Sequence, residues 1–87
     1  MTNDQIKDQV RQFIMKNFVF DKRRVLKDEE SLLESGVVDS TGILELVAYL
    51  EEDFALKVED TEFRAENFDS IERITTFVAR KLSAGVT

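Results

Sequence analysis

The segment from Asp39 to Phe54 constrains the fold more than any other part of the chain. Within it, Ile43, Leu46, Val47, Leu50 and Phe54 fall at i, i+3, i+4, i+7 and i+11, a spacing that puts the apolar side chains on one face of an α-helix. Asp39 and Ser40 stand where an N-cap belongs. A helix over 40–53 with one apolar face needs other elements to cover it, and the sequence supplies two of the same kind. Ile6, Val10, Phe13, Ile14 and Phe18 recur with helical period behind a Thr2/Gln5 capping box, which predicts a first helix over 2–18. Ile71, Ile74, Phe77, Val78 and Leu82 predict a last helix over 70–82. Asp69 followed by Glu72 is a second capping-box pattern at its start. Arg80 and Lys81 suit its C-terminal end through the helix dipole, and Gly85 lies just beyond.

The connections carry less pattern. Residues 19–39 show no sustained period, apart from Ser31–Gly36, which reads as a single helical turn ended by Gly36. A connection of about 20 residues is long for so small a domain, and such loops tend to be functional or weakly ordered. Phe54, Leu56 and Val58 alternate like a strand, but nothing is available to pair with them. An extended loop with its apolar residues turned inward is the expectation. Asp60 or Thr61 can cap a short helix over 61–65. The predicted class is therefore all-α, a small bundle of three main helices and one short helix. It forms a single domain over 1–87, with residues 83–87 frayed. Val58, Phe68 and Ile71 join the stripe of the second helix in the expected core.

Composition narrows the function. Twelve basic against 18 acidic residues give a net charge of −6, which argues against a nucleic-acid binder, since such proteins neutralise phosphates with Lys and Arg. It suits a protein that meets basic surfaces on its partners. The charge is uneven: Lys22, Arg23, Arg24 and Lys27 form a basic cluster, read as a solvated loop, and the stretch from Glu45 to Asp60 is strongly acidic. The chain has no His and no Cys, so no Ser-His-Asp or Cys-His arrangement can be built. A bundle of this size rarely encloses a substrate cleft, and the chain is expected not to be an enzyme. No Asp-x-Asp-x-Asp-Gly loop is present, so no metal site is expected. No apolar run approaches the roughly 20 residues that span a bilayer. Met1-Thr2-Asn3-Asp4 lacks the features of a signal peptide, and a cytoplasmic location is the expectation.

Ser40 is the sharpest candidate for chemistry. A phosphodiester on its hydroxyl would lie where free backbone N–H groups and the positive end of a helix favour an anion. The chain supplies no base to activate this hydroxyl, so Ser40 would be an attachment point modified by a separate enzyme. The competing reading is that Asp39-Ser40 is only a cap. Asp69-Ser70 opens the last helix in the same way, so the dipeptide alone leaves both readings open.

The wider context favours attachment. The run from Gly36-Val37-Val38-Asp39-Ser40-Thr41-Gly42 through Glu45-Leu46 and Glu51-Glu52-Asp53-Phe54 resembles the phosphopantetheine-attachment segment of the acyl carrier and peptidyl carrier protein family. Val58-Glu59-Asp60 resembles the approach to that family's short third helix, and Asn67-Phe68-Asp69-Ser70-Ile71 the approach to its last helix. The likeness runs in register from about Leu32 to Leu82. It implies an acyl-carrier-like bundle whose 4′-phosphopantetheine, taken from coenzyme A, is attached to Ser40, with Asp39 as part of the motif. It further implies thioester-linked acyl or aminoacyl cargo presented to enzymes of fatty-acid, polyketide or related specialised biosynthesis. The expected partners are a phosphopantetheinyl transferase, a loading ligase and downstream synthases or transferases, met by a monomer through Leu44, Glu45, Ala48, Glu51 and Glu52. Two departures stand out: Thr41 replaces the family's usual Leu, and Gly42 follows. With Leu44-Glu45-Leu46 they place the chain nearer to stand-alone carriers of specialised or amino-acid-loading pathways than to the housekeeping fatty-acid carrier. The alternative is a helical interaction module that is never pantetheinylated.

Overall fold

A computed structural model describes residues 2–21 and 23–84; Lys22, of the basic cluster, and Gly85 lie outside the described residues. The chain is all-helical, with α1 over Asn3–Phe18, α2 over Ser40–Asp53, a 3₁₀ turn over Asp60–Glu62, α3 over Ala65–Phe68 and α4 over Ile71–Ala84. Among the described residues there is no strand, and no helix is long and apolar enough to cross a membrane.

The first helix begins as its sequence dictates. Thr2 Oγ1 accepts from Gln5 N at 3.2 Å while Gln5 Oε1 accepts from Thr2 N at 2.9 Å, so the capping box forms in both directions. Ile6, Val10 and Ile14 are buried, and α1 packs on α4. Against α2 it sets Phe13, whose ring stacks on Tyr49 with centroids 3.9 Å apart. Ile43, Leu46, Val47, Leu50 and Phe54 of the α2 stripe enter the core with Phe68, Ile71, Ile74, Phe77 and Val78, whereas Val58 is only half-buried.

Among its described residues the 19–39 connection has no helix, but it is held at several points. Leu26, Leu32 and Val38 are buried at successive points along it. The Arg11 guanidinium donates to the Leu26 carbonyl and pairs with Asp28, and Lys7 Nζ adds a contact to Asp28 at 3.1 Å. Arg24, in the basic cluster, pairs with Glu30. Ser31–Gly36 does make a turn, closed by Ser35 N donating to the Ser31 carbonyl at 3.0 Å, and Gly36 ends it at φ 78°.

Two local expectations are corrected. The helix expected over 61–65 is instead a 3₁₀ turn and a separate four-residue helix. The Glu62 carbonyl is the cause: it accepts from Arg64 N at 2.9 Å and from Asn67 Nδ2 at 2.8 Å, so it cannot serve a continuing α-helix. Glu62 is held from the other side by Lys81 Nζ at 2.8 Å, and this ammonium is the main reason its carboxyl titrates below the usual range. At α4 the Asp69/Glu72 capping box does not form. Ser70 is the cap, its Oγ accepting from Arg73 N at 3.1 Å, and Glu72 N donates to the Asp28 carbonyl at 2.9 Å.

One residue sits in an unfavourable conformation. Ala55, just past α2, has φ 52°, a left-handed geometry that costs an L-residue about 1–2 kcal/mol and that glycine adopts freely. Ala55→Gly is expected to raise stability by about 1 kcal/mol, read as a higher urea midpoint at unchanged slope.

Candidate functional site

Asp39 and Ser40 divide their duties in a way the dipeptide alone does not reveal. Asp39 is the N-cap of α2, with Oδ1 accepting from Gly42 N at 2.7 Å, and Ser40 is the first helical residue. Because the carboxylate already satisfies the first turn, the Ser40 hydroxyl is not needed there. It is exposed, and among the described residues no hydrogen bond engages it. At α4 the register is shifted by one. Ser70 does the capping, is only 4% exposed, and its hydroxyl is committed. Asp69 is released to other work: Oδ2 accepts from Ser31 Oγ at 2.7 Å, Oδ1 from Leu33 N at 3.0 Å, and its carbonyl from Leu32 N at 2.8 Å. The two Asp-Ser pairs thus present one available hydroxyl and one buried, occupied one.

The first turn of α2 lies tight against its neighbours. A Cβ on Gly42 would come within 2.8 Å of Val38 Cγ1 and 3.0 Å of Phe18 Cε1. Gly42, a poor helix former by propensity, is there because the end of α1 and the buried Val38 close directly over it. Gly42→Ala is expected to cost about 1–3 kcal/mol through overpacking, less the roughly 1 kcal/mol that alanine recovers in helix propensity. Thermal unfolding of the two proteins would measure the difference.

Beside Ser40 opens a cavity of about 150 Å³. Ile43, Phe68, Phe63 and Leu33 give it apolar walls, and Arg64 and Asp69 bring charge to its lining. Of these, Phe63 is 42% exposed and Leu33 39%, so the apolar surface continues from the cavity to the outside. Sequence reasoning missed Leu33, Phe63 and Arg64. They lie on either side of α2 in stretches expected as a single helical turn and a short helix, each too brief for a period to mark which face a residue takes. The only signal was that a large apolar residue stood in each stretch.

The residues expected to meet partners lie along the outside of α2. Leu44 is 60% exposed, and Glu45, Ala48 and Glu52 are exposed beside it. Glu51 is half-buried, with Oε2 accepting from Val58 N at 3.0 Å; it holds the loop after α2 and is less free than its neighbours. Leu44 and Phe63 also flank a shallow surface depression with Glu59 and Asp60, so apolar and acidic groups alternate along this side.

The chain is similar to several curated proteins, although no protein-family model matches it. It is 41% identical over 49 residues to a D-alanyl carrier protein of Streptococcus uberis, a match covering 56% of this chain and 61% of that protein. A D-alanyl carrier protein of Streptococcus pyogenes is 37% identical over 46 residues, 53% of this chain and 58% of the relative. In both of these matches the chain spans about three fifths of the relative's length. A D-alanyl carrier protein of Streptococcus suis is 30% identical over 79 residues, 91% of this chain and 98% of the relative. With that near-complete alignment and an all-helical bundle to match, the chain belongs to the carrier-protein family whose matched members are D-alanyl carrier proteins, of the acyl and peptidyl carrier type.

Proposed function

We propose that this carrier protein holds its cargo as a thioester on a 4′-phosphopantetheine arm attached to Ser40. The observation that carries the reading is the offset between the two Asp-Ser pairs: Ser40 has an exposed hydroxyl at the start of a 14-residue helix, and Ser70 does not. The surroundings fit the group. The hydroxyl stands at the positive end of α2, which favours the phosphodiester, and apolar walls at Ile43, Phe63 and Phe68 lie alongside for the uncharged part of the arm. When bound, the arm supplies a terminal thiol for the thioester. The chain's own residues position the attachment point and present a recognition surface. Ser40 has no His in the sequence to take its proton, so a phosphopantetheinyl transferase supplies the base. The Ser40 Oγ–phosphorus bond forms as the pyrophosphate bond of coenzyme A breaks, 3′,5′-ADP leaves, and the hydroxyl proton passes to the transferase's base.

Leu44, Glu45, Ala48 and Glu52 are the surface offered to partner enzymes, with Glu51 contributing less. The acidic residues raise association rates with basic partners more than they add affinity. Those partners are a loading ligase and a downstream transferase. The relatives' name favours D-alanine as cargo over fatty-acyl or polyketide chains. The protein is monomeric in solution and cytoplasmic on this reading.

The test is direct. Incubation with coenzyme A and a broad-specificity phosphopantetheinyl transferase is expected to give one pantetheine adduct by intact mass. The adduct should then accept D-alanine from a D-alanine-activating ligase and ATP. An unmodified protein after trials with several transferases would favour an interaction module instead. An adduct that takes up fatty acids but not D-alanine would redirect only the cargo.

A further inference from the structure

One charged group at the site has no role so far. We propose that the Arg64 guanidinium is the counter-charge for the phosphodiester on Ser40, and that it thereby decides whether the arm lies along the cavity or swings into solvent. The inference rests on the arm being attached to Ser40.

Ser40 and Arg64 line the same cavity, and among the described residues Arg64 is the one cation in its lining. The anionic groups nearby are already committed: Asp39 caps α2 and Asp69 binds Ser31 and Leu33. A phosphodiester adds a permanent negative charge one residue from the Asp39 carboxylate, on a chain already at −6. Among the described residues no Lys or other Arg lines the cavity to balance that charge.

Arg64 is built to change partners. Its present ion pair is with Glu66 at 2.9 Å, and both side chains are about two-thirds exposed, at 66% and 67%. A pair this wet is worth little and is easily given up. A phosphodiester offers the guanidinium a geometry it matches with two parallel hydrogen bonds. The backbone beneath does not move with it. Arg64 N donates to the Glu62 carbonyl, and the Arg64 carbonyl accepts from Asn67 N at 3.0 Å. The stem therefore starts from a fixed point while the head swings. With the phosphate held on this side, the first carbons of the arm meet Ile43, Phe63 and Phe68. A partner that brings its own cation to α2 would compete with Arg64 for the phosphate and free the arm for transfer.

The experiment compares apo and pantetheinylated protein, with intact mass first confirming the adduct on wild type, Arg64→Gln and Arg64→Lys. In ¹⁵N-labelled wild type, the Arg64 Nε–H resonance is expected to shift on pantetheinylation. It should move back toward its apo position as salt rises to about 0.5 M, where exposed charges are screened. The ³¹P resonance of the phosphodiester should show a matching salt dependence, lost in Arg64→Gln and only partly kept in Arg64→Lys, which retains the charge but not the two-pronged geometry. An adduct with an unmoved Arg64 resonance, and a ³¹P signal identical in wild type and Arg64→Gln, would overturn the role of Arg64 and leave the arm on Ser40 intact. Absence of any adduct would instead remove the attachment reading, and this one with it.

Discussion

Ser40→Ala is expected to abolish pantetheine incorporation completely while leaving stability within about 0.5 kcal/mol of wild type, as an exposed residue that caps nothing should. Ser70→Ala is expected to do the reverse. The adduct forms as in wild type, but loss of the cap at Arg73 N lowers stability by about 1 kcal/mol, within the 0.5–2 kcal/mol range of such caps. Both proteins carry the same dipeptide and the same substitution, so the contrast isolates the local register. Intact mass after transferase treatment reads the first effect, and urea unfolding the second. If Ser40→Ala still took up one pantetheine, attachment at α2 would be wrong. If Ser40→Ala unfolded as readily as Ser70→Ala, the division of duties between Asp39 and Ser40 would be wrong.

Truncating Phe68 should have the largest effect on the fold. Its ring is 1% exposed, lies edge-on to Phe77 with centroids 5.0 Å apart, and meets Phe63 at 6.0 Å. Phe68→Ala removes the side chain that joins the short α3 to α4 and leaves a hole that neighbours can only partly fill. The expected cost is about 3–5 kcal/mol, against a total of roughly 5–15 kcal/mol for a domain of ordinary stability. At the lower end of that total, much of the population would lose its tertiary structure near body temperature. Phe68 is also a wall of the cavity beside Ser40, so the surviving folded fraction should bind small apolar probes more strongly than wild type does. Near-ultraviolet circular dichroism and urea unfolding would follow the loss. A variant as stable as wild type would mean that α3 does not help to hold the core.

The helices were legible because each buries one face, and a buried face leaves a period in the sequence. Ile43, Leu46, Val47, Leu50 and Phe54 announce α2 and all enter the core. The turns were not legible to the same degree, since their geometry is decided by hydrogen bonds between residues far apart in the chain. Nothing local to Glu62 shows that its carbonyl will be taken by Arg64 and Asn67, and so the short helix was expected as one piece. Asp69 looked like a cap for the same reason: its true partners, Ser31 and Leu33, lie 38 and 36 residues away. Ser40 itself was found through resemblance, because the dipeptide occurs twice. What separates the copies is which of the two residues caps, a difference of one residue in register that no propensity encodes. Arg64 was expected only as part of the short helix over 61–65 and was given no role, because nothing local to it shows the cavity it lines.

The bonds from Asp69 to Ser31, Leu32 and Leu33, with the link from Glu72 N to the Asp28 carbonyl, bear on how the molecule opens. The amides of Leu32, Leu33 and Glu72 all donate across the contact between the connection and the start of α4, so parting of the two releases all three. Their exchange rates should therefore rise and fall together, as members of one cooperative unit. The strand of chain that delivers Ser40 is in this sense part of the last helix, although some thirty residues of sequence lie between them. A pull on Ser40 would therefore be felt at the start of α4 through these bonds as well as along α2.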